Sequence, residues 1–140
     1  MEHLKLFILL VGLGLLNIHV FAQGICVPDT FEVNSVNGKV MAHLDRGDEP
    51  FPDVVIRITK KDKPKNIVKE TKINDSGVFD FGDLKQGRYD LIASYPHLKD
   101  FYLDLLVTAK HASKNEQIII WLAADFIKPC SGSYAELKEK

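Results

Sequence analysis

Asp75-Ser76-Gly77-Val78-Phe79-Asp80-Phe81-Gly82-Asp83-Leu84-Lys85-Gln86-Gly87-Arg88-Tyr89-Asp90-Leu91 is punctuated as a sheet protein is. Successive side chains on an extended strand point to opposite faces, so Phe79 and Phe81 share one face of a short strand, Val78 to Phe81. Asp75-Ser76-Gly77 ahead of it and the segment closing at Gly87 behind it read as turns, where glycine admits positive φ. Tyr89 then opens a new strand. The stretch contains no set of groups that could do chemistry together, so it speaks for the fold and leaves the activity open.

The same alternation continues to either side. Val36 to Leu44 places Val40, Ala42 and Leu44 on one face and Lys39, Met41 and His43 on the other. Asp45 to Asp53 reads as a polar, proline-containing loop. Val54 to Lys60 has Val54, Ile56 and Ile58 in phase, and Asn66 to Lys72 is a weaker, lysine-rich strand suited to a sheet edge. Tyr89 to Tyr95, Asp100 to Thr108 and Gln117 to Ala123 complete a set of seven, with Phe101, Leu103, Leu105 and Val107 in phase on the sixth. Short strands at close spacing between turn signals predict an all-β, Greek-key sandwich. No segment carries the three-and-four spacing of a long amphipathic helix. Ser133 to Lys140 is expected to be a flexible tail, with a turn or two of helix at most.

The first 22 residues read as an export signal. Lys5 gives a basic start, Leu6 to Leu16 an apolar run, and Val20-Phe21-Ala22 a small-residue cleavage site before Gln23. The run is about eleven residues, short of the roughly twenty that a spanning helix needs; an uncleaved anchor is the alternative. No later segment is apolar enough to span. The mature chain, about 118 residues, is one domain (23–132) followed by the 133–140 tail, and export to the periplasm, cell surface or medium is expected. It keeps a net charge of −1, which argues against nucleic-acid partners. Cys26 and Cys130 lie near opposite ends of that domain. In an exported chain they are expected to form a disulfide, worth roughly 4–5 kcal/mol in the chain-entropy model; a lipidated Cys26 and free thiols are the alternatives.

Asn37-Gly38-Lys39-Val40, Pro52-Asp53-Val54-Val55-Ile56, Thr71, the Asp75/Gly77/Phe79/Phe81 run and the Leu84/Gly87/Tyr89/Leu91 run occur in the order and spacing of a known pattern. From about Val36 to Val107 the chain resembles the carboxypeptidase regulatory-like domain family, a transthyretin-like sandwich. The Arg46–Phe51 loop departs from it, being longer and more acidic. The resemblance implies a non-catalytic accessory domain without cofactor, of a fold grouped with carbohydrate-binding-like sandwiches. On that basis the expected partner is a protein or polysaccharide at the cell envelope.

Three constellations compete with that expectation. Ala42-His43-Leu44-Asp45 followed by Pro50 looks faintly like the early His-x-x-Asp segment of hydroxyisourate hydrolase, also transthyretin-like. That enzyme's Tyr-Arg-Gly-Ser ending is replaced here by Tyr134-Ala135-Glu136-Leu137, and hydrolysis needs several convergent groups. His43, Asp45, Asp48, Glu49 and Asp53 do not follow a calcium-loop spacing and read as a solvated acidic turn, so no metal site is expected. The lysines from Lys60 to Lys72 fit a protected edge better than an anion site. The remaining anomaly is apolar character on both faces near the end. With Leu103, Leu105, Ile118, Ile120 and Leu122 inward, Tyr102, Leu106, Ile119 and Trp121 point outward. Either the segment from Phe126 onward covers them, or Tyr102 and Trp121 belong to a binding face.

Overall fold

Most members of the in-phase apolar sets named above are buried against the same core. Val54, Ile56 and Ile58 are fully buried, as are Leu91 and Leu105, and Phe79, Phe81, Tyr89, Ala93, Leu103 and Val107 are nearly so. Each large aliphatic chain removed from water contributes about 1.5–3 kcal/mol, which is enough to fix the face that each strand turns inward.

The computed structural model describes residues 30–44, 46–109, 116–123 and 132–140. Among them it is all-β. In chain order the strands are β1 (Thr30–Val33), β2 (Asn37–Leu44), β3 (Gly47–Pro50), β4 (Val55–Lys60), β5 (Lys63–Lys72), β6 (Val78–Asp80), β7 (Gly87–Ser94), β8 (Phe101–Val107), β9 (Glu116–Leu122) and β10 (Tyr134–Glu139). They form two mixed sheets that share one core, consistent with a sandwich. Sheet A runs β1-β8-β7-β4-β5, and sheet B runs β10-β9-β2-β3 with β6 also on β2. The pairings β1 with β8 and β2 with β9 are parallel; the others are antiparallel.

The opening stretch folds as its residues demand. Gly77 donates its N–H to Asn74 O at 3.0 Å, and the Asn74 side chain accepts the Ser76 N–H. Gly77 and Gly87 have φ of 71° and 151°, the conformations their turn positions call for. At Gly77 a side chain is excluded twice over, since a Cβ there would also lie 2.7 Å from Val40 O. Phe79 and Phe81 enter the core together, with ring centroids 6.1 Å apart. The lysine-rich β5 is the outer strand of sheet A, as its composition suggests, and its ladder with β4 is interrupted by register shifts near Thr59. Bulges and lysines are both devices that discourage a foreign strand from pairing.

Four expectations are corrected. There are ten strands among the described residues where seven were expected, the additions being β1, β3 and β10. The 45–53 loop contains β3, which folds back on β2 in a tight hairpin. The 133–140 segment is not helical or loose at Tyr134–Glu139: β9 offers it an edge, and β10 pairs with β9 along its length. Leu44, in phase with Val40 and Ala42, is 46% exposed because it stands at the end of β2. The export signal (1–22), Cys26, Cys130 and residues 124–131, which include Phe126, lie outside the described residues.

Candidate functional site

On β2 the inward residues are Val40 and Ala42, so His43 must point away from the core. The β2–β3 hairpin sets Asp48 directly opposite His43. On the other side of β2, β9 places Trp121 opposite Met41, and β10 in turn places Tyr134 opposite Trp121. Four strands therefore deliver His43, Asp48, Trp121 and Tyr134 to one corner of the outer face of sheet B.

Their geometry is specific. The His43 and Trp121 rings stack at 4.3 Å with planes 3° apart, and Tyr134 lies beside both, 6.1 Å from Trp121 and 6.3 Å from His43. His43 Nδ1 is 2.7 Å from Asp48 Oδ1, and His43 Nε2 is 3.2 Å from the Tyr134 hydroxyl. A carboxylate only accepts hydrogen bonds, so Nδ1 carries the imidazole proton, and in the neutral ring Nε2 accepts the Tyr134 O–H. Trp121 Nε1–H donates to Glu136 Oε1 at 2.9 Å, and Lys138 Nζ meets the same oxygen at 2.9 Å. The Lys138 ammonium also stands 5.8 Å from the Trp121 ring centre. Lys138 first, then the indole N–H, hold the Glu136 carboxyl below the ordinary carboxylate range; Glu136 in turn raises Lys138.

Exposure separates the parts. Trp121 is only 7% exposed, whereas Tyr134 is 44% exposed and the His43 and Asp48 side chains are more than half exposed. Trp121 is thus the floor of the cluster, and His43, Asp48 and Tyr134 are its accessible surface. The expected partnership of Tyr102 with Trp121 is not formed. Tyr102 is 52% exposed but sits on β8 of sheet A, while β9 belongs to sheet B, and the outer faces of the two sheets look in opposite directions. Tyr102 lies opposite Ile92 of β7.

The outer face of sheet A holds a separate, ionic group. Asp104, nearly buried, accepts from Arg88 and from Thr30 and lies 3.5 Å from Lys61, which is paired to Asp90 at 2.8 Å. Asp90, more than Asp104, raises Lys61 above its ordinary value. This arrangement ties β1, β7 and β8 to the turn after β4. Its charges are spent on each other.

His43 was read from the sequence as an outward strand residue and Asp48 as part of a solvated turn; their pairing follows from β3. A hairpin register of His43 with Asp48 is recoverable from their five-residue separation once a two-residue turn is placed between Leu44 and Gly47. Tyr134 had no such signal. Among the described residues no group of three or more histidine, cysteine or acidic side chains is placed to hold a metal ion.

No family model matches the chain, and no curated protein matches it by sequence. Among solved structures it is similar to (S)-allantoin synthase, with a TM-score of 0.47 and 13% identity. The match covers 76% of this chain and 45% of that one, so the chain spans less than half the length of that neighbour.

Proposed function

We propose that this chain is an exported, non-catalytic accessory module of the carboxypeptidase regulatory-like, transthyretin-like type, which binds a polysaccharide at the cell envelope. The observation that carries the reading is the His43–Asp48–Tyr134 surface on its Trp121 floor. The Tyr134 ring, 44% exposed, offers a sugar a rigid apolar surface, and the Asp48 carboxylate and Tyr134 hydroxyl stand beside it for the sugar hydroxyls. The stack and both hydrogen bonds fix His43, Asp48 and Tyr134 against one another, so little order remains to be imposed on binding. A protein partner is less well served, because Trp121, the residue best suited to anchor one, is 93% covered. The export reading rests on the Lys5, Leu6–Leu16 and Ala22 pattern.

A glycan array with the full chain, alongside Tyr134→Ala and His43→Ala, tests the function. Binding by the native chain that both variants lose supports it; equal binding by all three, or none, removes it. Mass spectrometry of the mature N-terminus distinguishes a free Gln23 from a lipidated Cys26.

One observation favours a second reading, a transthyretin-like hydrolase. Asp48, His43 and Tyr134 form a continuous carboxylate–imidazole–phenol line, the arrangement in which an imidazole can take up a proton. Its weakness is the lack of further convergent groups: among the described residues the hydrogen-bond partners of His43 are Asp48 and Tyr134. Incubation with hydroxyisourate decides this, since turnover abolished by His43→Ala would establish the enzyme.

A further inference from the structure

Resting on the glycan-binding reading of sheet B, we propose that the site selects neutral, hydroxyl-rich chains and excludes carboxylated ones. The reason is the direction of its hydrogen bonds. Tyr134 has one hydroxyl proton, and it is committed to His43 Nε2, so Oη presents only lone pairs to a ligand. The Nδ1–H of His43 is committed to Asp48 Oδ1, which leaves Asp48 Oδ2 as a free acceptor. Trp121 Nε1–H and the Lys138 ammonium both meet Glu136 Oε1, which leaves Oε2 as another.

The accessible polar atoms of the cluster are therefore acceptors that need a donor. Lys138 is the cationic donor that pairs within the cluster among the described residues, and its charge is balanced by Glu136. Lys39 is on the same face but stands across Ile119 from Glu136, two strands away. With His43 neutral, Asp48, Glu136 and Lys138 sum to a single negative charge. A sugar hydroxyl meets such a site as a donor and carries no opposing charge. A uronate carboxylate brings acceptors to acceptors and a negative charge toward Asp48 and Glu136, and like-charge contact is a strong means of rejection.

Affinity electrophoresis of the full chain tests the selectivity, with glucomannan, xyloglucan or laminarin in one set of gels and polygalacturonate or alginate in another. Retardation by at least one neutral polymer and by neither carboxylated one is expected. Tyr134→Phe keeps the ring and removes the acceptor, and it should weaken the neutral polymer by about 3- to 10-fold with the thermal midpoint unchanged. Asp48→Asn removes a charge and supplies a donor, and it should admit polygalacturonate. Equal retardation by both polymer classes, or undiminished binding by Tyr134→Phe, would overturn the selectivity while leaving glycan binding intact. No retardation by any polymer would overturn the glycan-binding reading and the selectivity with it.

Discussion

Gly38 is the most tightly enclosed glycine among the described residues. A Cβ built there would lie 1.9 Å from the Ile118 carbonyl oxygen and 2.8 Å from the Phe79 ring. The first neighbour is backbone within the β2–β9 pairing and cannot swing aside. Gly38→Ala should therefore cost about 3 kcal/mol, read as a lower urea midpoint with an unchanged slope. Glu136 gives the site a sensitivity to acid. Its carboxyl sits below the ordinary value of 4.5, held there by Lys138 and then by Trp121. A depressed carboxylate adds stability that is present above the unfolded value and disappears as pH falls through the folded one. Between about pH 5 and 3 the thermal midpoint of Glu136→Gln should fall less steeply than that of the native chain. At this scale the sequence was informative about direction and poor about company. The period of two correctly turned Trp121 away from the core. Nothing in the local residues showed that His43 would cap its ring, because that contact joins positions 78 apart along the chain.

Elements differ in how much of their own cause they carry. β4, β7 and β8 each carry an in-phase set of large apolar residues and were legible, as was the edge role of β5 from its lysines. β10 was not. Tyr134-Ala135-Glu136-Leu137-Lys138-Glu139 is rich in helix-forming residues, and its apolar pair, Ala135 and Leu137, is modest. What makes it a strand is the unpaired side of β9, an instance of tertiary context outweighing propensity. β3 (Gly47-Asp48-Glu49-Pro50) has no apolar alternation at all and exists because the hairpin closes on β2. Ending the chain after Ser133 should expose the β9 edge together with Ile119 and Trp121. The expected outcome is concentration-dependent self-association in sedimentation velocity, with a lowered thermal midpoint.

At the scale of the whole molecule, each sheet joins an early strand to a late one in parallel: β1 to β8 in sheet A and β2 to β9 in sheet B. Such pairings must close long loops before they gain any contact, so refolding of the reduced chain should occupy milliseconds to seconds rather than microseconds. Stopped-flow tryptophan fluorescence is a suitable probe, since Trp121 is the single tryptophan and leaves water only when β2, β9 and β10 meet. The overall class was readable because alternation is a property of each segment, whereas the arrangement of segments is a property of their meeting. β9 lies between β2 and β10, and this has a consequence for synthesis. While a ribosome is still making residues 116–122, β2 has an open flank and the core lacks Ile118, Ile120 and Leu122. A nascent chain in that condition stays pliable until β9 and β10 have both emerged and paired.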